Sequence, residues 1–406
     1  MNYKKLQVRI FVLCWMSYAF FYVSRKNFSI VKTSLHEELG FSMVQLGFIE
    51  TLYAGCYMAG QFVSGALGDK FGPRRLLSYG MIGSALTSIL MGISVSYSIF
   101  AFSLAFNGLF QSSGWPNNLK TVTLWFDQKN RGKITGLWCT CYTVGPLMAS
   151  SLATWLLVSY GWQSAFIYPG LSVAAAGLVI FLFLIDSPRD AGFKEVQRAD
   201  AHAERKKAPF RSMITHPAII VYGLSYAFIK FVRYSFTFWM PWYLYEKMNF
   251  SKGDAAYISM AFEFGGLLGV IGIGCLSDKY FSENRSRVVI LCILALAGSL
   301  FLYQAFESES HLLNFILLSL IGFMLFGGDS VLSATATQDI GGNEATASAA
   351  GIVNGIGSIG GVMGGLVPAV VAANFGWNAL FYLLALSTIF SALLLYYFAG
   401  IKQQPR

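Results

Sequence analysis

Two arginines, Arg25 and Arg233, stand inside apolar stretches long enough to cross a bilayer, 208 residues apart (233 − 25). A guanidinium at bilayer depth costs about 3 kcal/mol on insertion scales unless it faces a cavity or a partner, so each is a functional candidate on physical grounds. The residues before them share a spacing: Tyr18, Tyr22, Arg25 in one stretch and Tyr226, Lys230, Arg233 in the other. Steps of four and three put each trio on one helical face. The simplest chemistry is a single cationic site, built from both halves of the chain, that holds a small anion.

The elements that must position this site are membrane helices. Of 406 residues, 55% are hydrophobic and 12% charged, with a mean hydropathy of +0.55. Soluble chains carry about 25% charged residues, so this composition belongs in a bilayer. The start, MNYKKLQVR, runs straight into an apolar segment without a small-residue cleavage site, so no cleavable leader is expected. Twelve spans are predicted. The first six lie near 7–31, 44–68, 77–97, 99–124, 134–158 and 164–185; the second six lie near 216–245, 254–276, 288–306, 311–338, 348–372 and 378–399. This gives an all-α membrane protein with an amino-terminal bundle over 1–185, a polar linker over 186–215 and a carboxyl-terminal bundle over 216–406.

Lys and Arg in the connections set the orientation. Twenty-one of them fall on the side holding both termini and the linker, against Lys32, Lys247 and Lys252 on the other. Both termini are therefore expected in the cytoplasm, in a multi-pass protein of the inner membrane. The net charge of +9 follows from this bias and calls for no nucleic acid. The six cysteines fall in or beside apolar segments and read as packing residues. No nucleophile elbow, phosphate loop or metal-ligand cluster occurs in a credible context, so no enzyme activity, cofactor or metal is expected.

The chain repeats itself. Gly65-Ala-Leu67-Gly-Asp69-Lys70 after the second span matches Gly274-Cys-Leu276-Ser-Asp278-Lys279 after the eighth. Gly161-Trp162 with Phe166 recurs as Gly376-Trp377 with Phe381, and Gly136 as Gly351. Two six-helix bundles related by an axis along the membrane normal imply a cavity between them near the midplane.

With these motifs in place, the chain resembles a Major Facilitator Superfamily transporter. The loop from Gly65 through Leu67, Asp69, Lys70 and Phe71 to Arg74 and Arg75 resembles that superfamily's signature. More narrowly, YVSRKNFS (22–29), GWPNNLKTVTLWFDQKNRG (114–132), DSPRDAGF (186–193), the FVRY around Arg233 and FEFGG (262–266) resemble the organophosphate/phosphate antiporters, which include glycerol 3-phosphate and hexose phosphate transporters. The resemblance implies that Arg25 and Arg233 bind phosphate and that Tyr18, Tyr22 and Tyr57 line the cavity. A guanidinium is planar, permanently ionised and matches a phosphate dianion through two parallel bonds. Where glycerol 3-phosphate transporters carry Lys in the second helix this chain has Gln61; Tyr142 stands for their His, and Lys230 for their Tyr. That shift of positive charge between halves suits a bulkier sugar phosphate, or a substrate with a second anionic group such as a phosphoglycerate.

Each candidate has a competing structural reading. Arg25 has Glu50 as a possible ion-pair partner, and Arg233 has Glu263 or Asp329. Lys26 points about 100° away from Arg25 and suits a helix contact. Glu50, Glu263 and Asp329 are the acids well inside spans, and each suits a structural partner, a gate or a proton carrier, with pairing or gating favoured for Glu263. Asp329 replaces an apolar residue of the glycerol 3-phosphate pattern; burial raises a carboxyl pKa unless a cation is close, which makes it the candidate for proton coupling. Asp69, Arg74, Arg75 and Asp278 suit latches at helix ends, or ordinary topology charges. Glycines 351, 355, 357, 360, 361, 364 and 365 suit close helix packing. The expected function is exchange of a phosphate ester for inorganic phosphate by a monomeric carrier. A membrane sensor of external sugar phosphate and a proton-coupled symporter are the alternatives.

Overall fold

The computed structural model describes residues 3–126, 134, 137–193, 217–281 and 285–402, without side chains at 62, 65, 66, 218, 278, 285, 333–351 and 398–402. The linker beyond residue 193, Lys129, Arg131, Lys133, Gly136 and the side chain of Asp278 lie outside the described residues. Every regular element among those described is helical. Lipid offers no hydrogen bonds, so a spanning backbone must satisfy its own.

The chain divides into two compact units, Met1–Phe41 with Phe48–Ala203 and Ser42–Gly47 with Glu204–Arg406. In the first, α1 (Tyr3–Val23) and α2 (Asn27–Leu39) form one interrupted span, followed by α3 (Met43–Phe71) and α4 (Pro73–Ile93). The next span is also interrupted, α5 (Tyr97–Gln111) and α6 (Gly114–Trp125), and α7 (Cys141–Tyr160) and α8 (Ser164–Phe183) complete the unit. The second unit holds α9 (Pro217–Glu246), the interrupted pair α10 (Lys252–Ser259) and α11 (Ala261–Tyr280), α12 (Arg285–Ala305) and α13 (His311–Lys402).

Helix α13 runs for 92 residues. At 1.5 Å per residue it would be about 138 Å long if straight, several times the ~30 Å hydrocarbon core. It packs against α9, α11 and α12, and Gly376 interrupts it with a φ of +81°. Nine windows of the described residues are long and apolar enough to cross a membrane, and the last, Ile352–Tyr397, holds two spans on either side of Gly376. Helix α3 and the α5–α6 pair add two more, which makes twelve.

The repeat has a structural reason. Gly161 and Gly376 both turn the chain with positive φ, +84° and +81°, a conformation that a Cβ disfavours. The tryptophan after each then reaches the same kind of partner. Trp162 Nε1 donates to Glu38 Oε2 and Trp377 Nε1 to Glu246 Oε2, both at 3.0 Å. The glycine run also has a packing role. A Cβ on Gly357, Gly360 or Gly364 would strike Tyr226, Ala227 or Tyr234 of α9, so α13 and α9 approach backbone to backbone.

One charge sits differently from the sequence expectation. Lys32 belongs to α2, with its side chain 0% exposed, and does not lie in a connection. Its ammonium meets Glu50 Oε2 at 2.5 Å, and this ion pair is what makes burial of the lysine tolerable.

At the ends of α3, α6 and α8 a second polar group ties helices together. Asp69 accepts from Lys120 Nζ at 2.6 Å, and the same ammonium donates to Gly68 O. Asp186 accepts the Arg74 backbone N–H at 2.6 Å and so caps the exposed N-terminus of α4 from beyond α8. The Arg74 guanidinium lies over Phe181, and Arg75 is exposed. Burial lifts the Asp186 carboxyl above its ordinary 3.8, opposed by the bond from Arg74 N–H. The folded state is therefore favoured by protonation of Asp186, and that share of stability is lost as pH rises through the raised value. In thermal unfolding in detergent, Asp186→Asn keeps an acceptor without the charge and is expected to gain on the parent as pH rises above the ordinary carboxyl value. Asp186→Ala removes the cap and should lose about 1 kcal/mol throughout.

Candidate functional site

Arg25 lies in the break between α1 and α2. The backbone N–H groups of Arg25 and Lys26 both donate to Tyr22 O at 3.0 Å, which closes α1. Asn27 then starts α2, its Oδ1 accepting from Phe28 N at 2.9 Å and its Nδ2 donating to Ser88. The break keeps Arg25 near the positive end of α2, which adds to the attraction for an anion. Its guanidinium donates from Nε to Gln111 Oε1 at 2.7 Å. It lies over the rings of Tyr22 at 4.7 Å, Tyr57 at 4.9 Å and Tyr53 at 6.0 Å. Its Nη2 is buried without a hydrogen-bond partner. No acid pairs with Arg25 among the described residues; Glu50, the carboxylate weighed for that role, is taken by Lys32.

Gln111 is the hub beneath the arginine. Its carbonyl also accepts from Tyr53 at 3.2 Å, and its amide donates to Asn107 Oδ1 at 2.6 Å and to Ser24 and Ser84 at 3.2 Å. All of these residues are buried. A filled network of this kind fixes side-chain positions because each missing bond leaves a desolvated group.

The predicted lining residues gather beside it. Tyr18 is buried with its ring 5.7 Å from Tyr22, 5.9 Å from Tyr142 and 5.6 Å from Trp115. Trp115 stacks on Tyr142 at 5.0 Å, and Tyr57 stacks on Tyr53 at 6.1 Å. Gln61 is half-buried on α3, one turn beyond Tyr57. Lys26 is buried.

In the second unit, Arg233 Nη1 meets Asp329 Oδ2 at 2.8 Å, with the guanidinium 22% and the carboxylate 9% exposed. The same guanidinium lies over Phe326 at 4.4 Å. Asp329, one of the two carboxylates weighed as partners of Arg233, bonds it through Oδ2, while its Oδ1 is buried without a hydrogen-bond partner. Lys230 donates to Asn354 Oδ1 at 2.7 Å and, more distantly, to Asn354 O and Ser358 Oγ, and lies over the Tyr226 ring at 4.6 Å. Glu263 is buried in the first turn of α11, where the helix dipole favours an acid.

Gln111, Asn354 and the Lys32–Glu50 pair were not visible as site elements in the sequence. Gln111 carried a usable signal, a second amide one helical turn after Asn107 in the otherwise largely apolar FAFSLAFNGLF stretch; Asn354 was hidden in a glycine-rich stretch. Bonds to charged groups are worth about 1.5–3 kcal/mol. Gln111→Leu is therefore expected to weaken inorganic phosphate binding by at least about tenfold in titration calorimetry, and Gln111→Glu, which neutralises Arg25, to weaken it further.

Residues 14–365 match the model of the Major Facilitator Superfamily. Relatives along the chain include sugar phosphate exchanger 3 of Gallus gallus, 29% identical over 94% of this chain and 90% of that one. The putative glycerol-3-phosphate transporter 2 of Arabidopsis thaliana is 30% identical over 97% and 87%, and a glucose-6-phosphate exchanger of Mus musculus 27% over 95% and 90%. Among solved structures, an inward-facing bacterial homolog of the human lysosomal transporter Spinster superposes with a TM-score of 0.75 at 15% identity, over 96% of this chain and 95% of that one. Twelve helical spans, intramembrane arginines at one register of a repeated sequence and a match covering most of the chain lead to one placement: this protein belongs to the Major Facilitator Superfamily.

Proposed function

We propose that this protein is a secondary carrier that exchanges a phosphate ester for inorganic phosphate by alternating access, with Arg25 and Arg233 as the phosphate ligands. The observation that carries this reading is the state of Arg25: a cation inside the membrane, backed by a neutral amide and ringed by tyrosines, with Nη2 buried and unpaired. A buried donor without a partner costs about 1–3 kcal/mol, more when charged, and a phosphate oxygen supplies the missing acceptor. Arg233 adds the matching cation from the other half of the repeat, and Lys230 a further one. Tyr18, Tyr22, Tyr57 and Tyr142 line the path with hydroxyl donors. The relatives named for sugar phosphates and glycerol 3-phosphate support the ligand class.

Both termini are assigned to the cytoplasm on the strength of the Lys and Arg bias, in an inner membrane, and the carrier works as a monomer. In proteoliposomes loaded with inorganic phosphate, the parent protein is expected to take up labelled sugar phosphate by counterflow. Arg25→Ala and Arg233→Ala should abolish uptake. Arg25→Lys keeps the charge without the planar fork and should lower kcat/KM by about a hundredfold. Full exchange by Arg25→Ala would refute this function; ligand binding by the parent without any exchange would favour a sensor.

A further inference from the structure

Asn107 lies on α5, one helical turn before Gln111, and is buried. Its amide nitrogen meets three groups of α4 at 3.0 Å: Ser84 O, Ser84 Oγ and Thr87 Oγ1. A backbone carbonyl can only accept, so Ser84 O dictates that the end of Asn107 facing α4 is the donor. Thr87 Oγ1 agrees with this, because it directs its own proton to the carbonyls of Gly83 and Ser84 and keeps lone pairs for Asn107. The carbonyl end of Asn107, Oδ1, is thereby turned toward Gln111.

The same logic passes to the next amide. At 2.6 Å from Asn107 Oδ1 only the nitrogen of Gln111 is tolerable, since two carbonyl oxygens at that distance repel. The Gln111 oxygen is left for Arg25 Nε at 2.7 Å and for the Tyr53 hydroxyl at 3.2 Å. An inverted Gln111 would set its NH2 against the guanidinium Nε–H, donor against donor. The other neighbours of the Gln111 nitrogen are the hydroxyls of Ser24 and Ser84, both at 3.2 Å. A hydroxyl rotates to donate or accept, so neither fixes which way the amide points. Ser24, Ser84, Asn107 and Gln111 are all buried, so a wrongly turned amide pays the full cost of an unmade bond.

We propose that Asn107 is a positioning residue for the anion site: it relays the polarity of the Ser84 carbonyl through Gln111, fixes an acceptor on Arg25 Nε and so leaves Nη2 for the ligand. This rests on the reading of Arg25 as a phosphate ligand. Asn107 acts through Gln111, one step removed from the guanidinium. Without it a share of the molecules hold Gln111 inverted and Arg25 displaced, and apparent affinity falls in proportion to the correctly turned fraction.

The test is a double-mutant cycle read by titration calorimetry of inorganic phosphate on the purified protein in detergent. Asn107→Leu is expected to weaken binding about tenfold, which corresponds to about one molecule in ten holding Gln111 the right way. In a chain that already carries Gln111→Leu, adding Asn107→Leu should change the affinity by less than about twofold, because no amide is left to orient. A merely structural role for Asn107 would lower the affinity by the same factor in both backgrounds. Asn107→Ser, whose hydroxyl fixes no direction, should reproduce both results, and it carries the test should Asn107→Leu fail to insert. Parent-like affinity in these variants, or losses that multiply in the double variant, would overturn the proposal and leave phosphate binding at Arg25 standing. No phosphate binding by the parent, or parent-like binding by Arg25→Ala, would overturn both.

Discussion

The whole molecule is organised around the cost of keeping cations inside lipid. A guanidinium or ammonium at that depth is tolerable only beside an acceptor, an aromatic face or water. The two units answer that cost differently. In the first, Arg25 leans on the Gln111 carbonyl and on tyrosine rings, so its charge is solvated but not cancelled. In the second, Arg233 is paired with Asp329 and its charge is largely cancelled on the spot. The first arrangement leaves the positive charge uncancelled; the second sets a carboxylate directly against it. A buried ion pair contributes little net stability once desolvation is counted, so these contacts are better understood through their effect on binding than through their effect on folding.

Backbone breaks follow from the same constraint. Among the described residues, spans are interrupted at 24–26, 112–113 and Met260, and again at Thr140. Arg25 lies in the first break, Gln111 ends the helix before the second, and Glu263 opens the helix after the third. Unpaired backbone groups survive at membrane depth only where protein or water satisfies them. Placing polar side chains at the interruptions concentrates the cost in one place and supplies helix ends whose dipoles act on the same ions. Uninterrupted spans such as α4 and α8 serve as frame: small residues bring them close, with Gly170 against the Ala85 carbonyl and Gly177 against Met81.

Much of this architecture was legible in the chain before any coordinates. Composition required a membrane protein, and period-208 matches exposed the duplication around Arg25 and Arg233. What the sequence could not express was pairing across helices. Lys32 read as a connection residue because nothing in its local string announces Glu50 on the next helix. The choice between Glu263 and Asp329 as partner of Arg233 depends on how α9 meets the tenth span, which is set by packing rather than pattern. The interruptions were missed for a related reason. SRK and QSSG contain neither proline nor a long polar run, and each break is stabilised by tertiary bonds such as Asn27 to Ser88.

The duplication itself explains why frame and site behave so differently. The turn elements recur as a set: Gly161 with Trp162 and Glu38, Gly376 with Trp377 and Glu246, with nearly identical φ and the same 3.0 Å bond. They orient each half's last span against its first, and both halves need the same angle to close a bundle. The arginine partners carry no such geometric duty. Either a glutamine or an aspartate can hold a guanidinium from the fourth span of its unit, since both present an oxygen at hydrogen-bond distance. Exchanging one for the other alters the local charge by a full unit while leaving the helix frame untouched. The same position of a duplicated chain can therefore carry a neutral or an acidic partner for its arginine without any rebuilding of the fold.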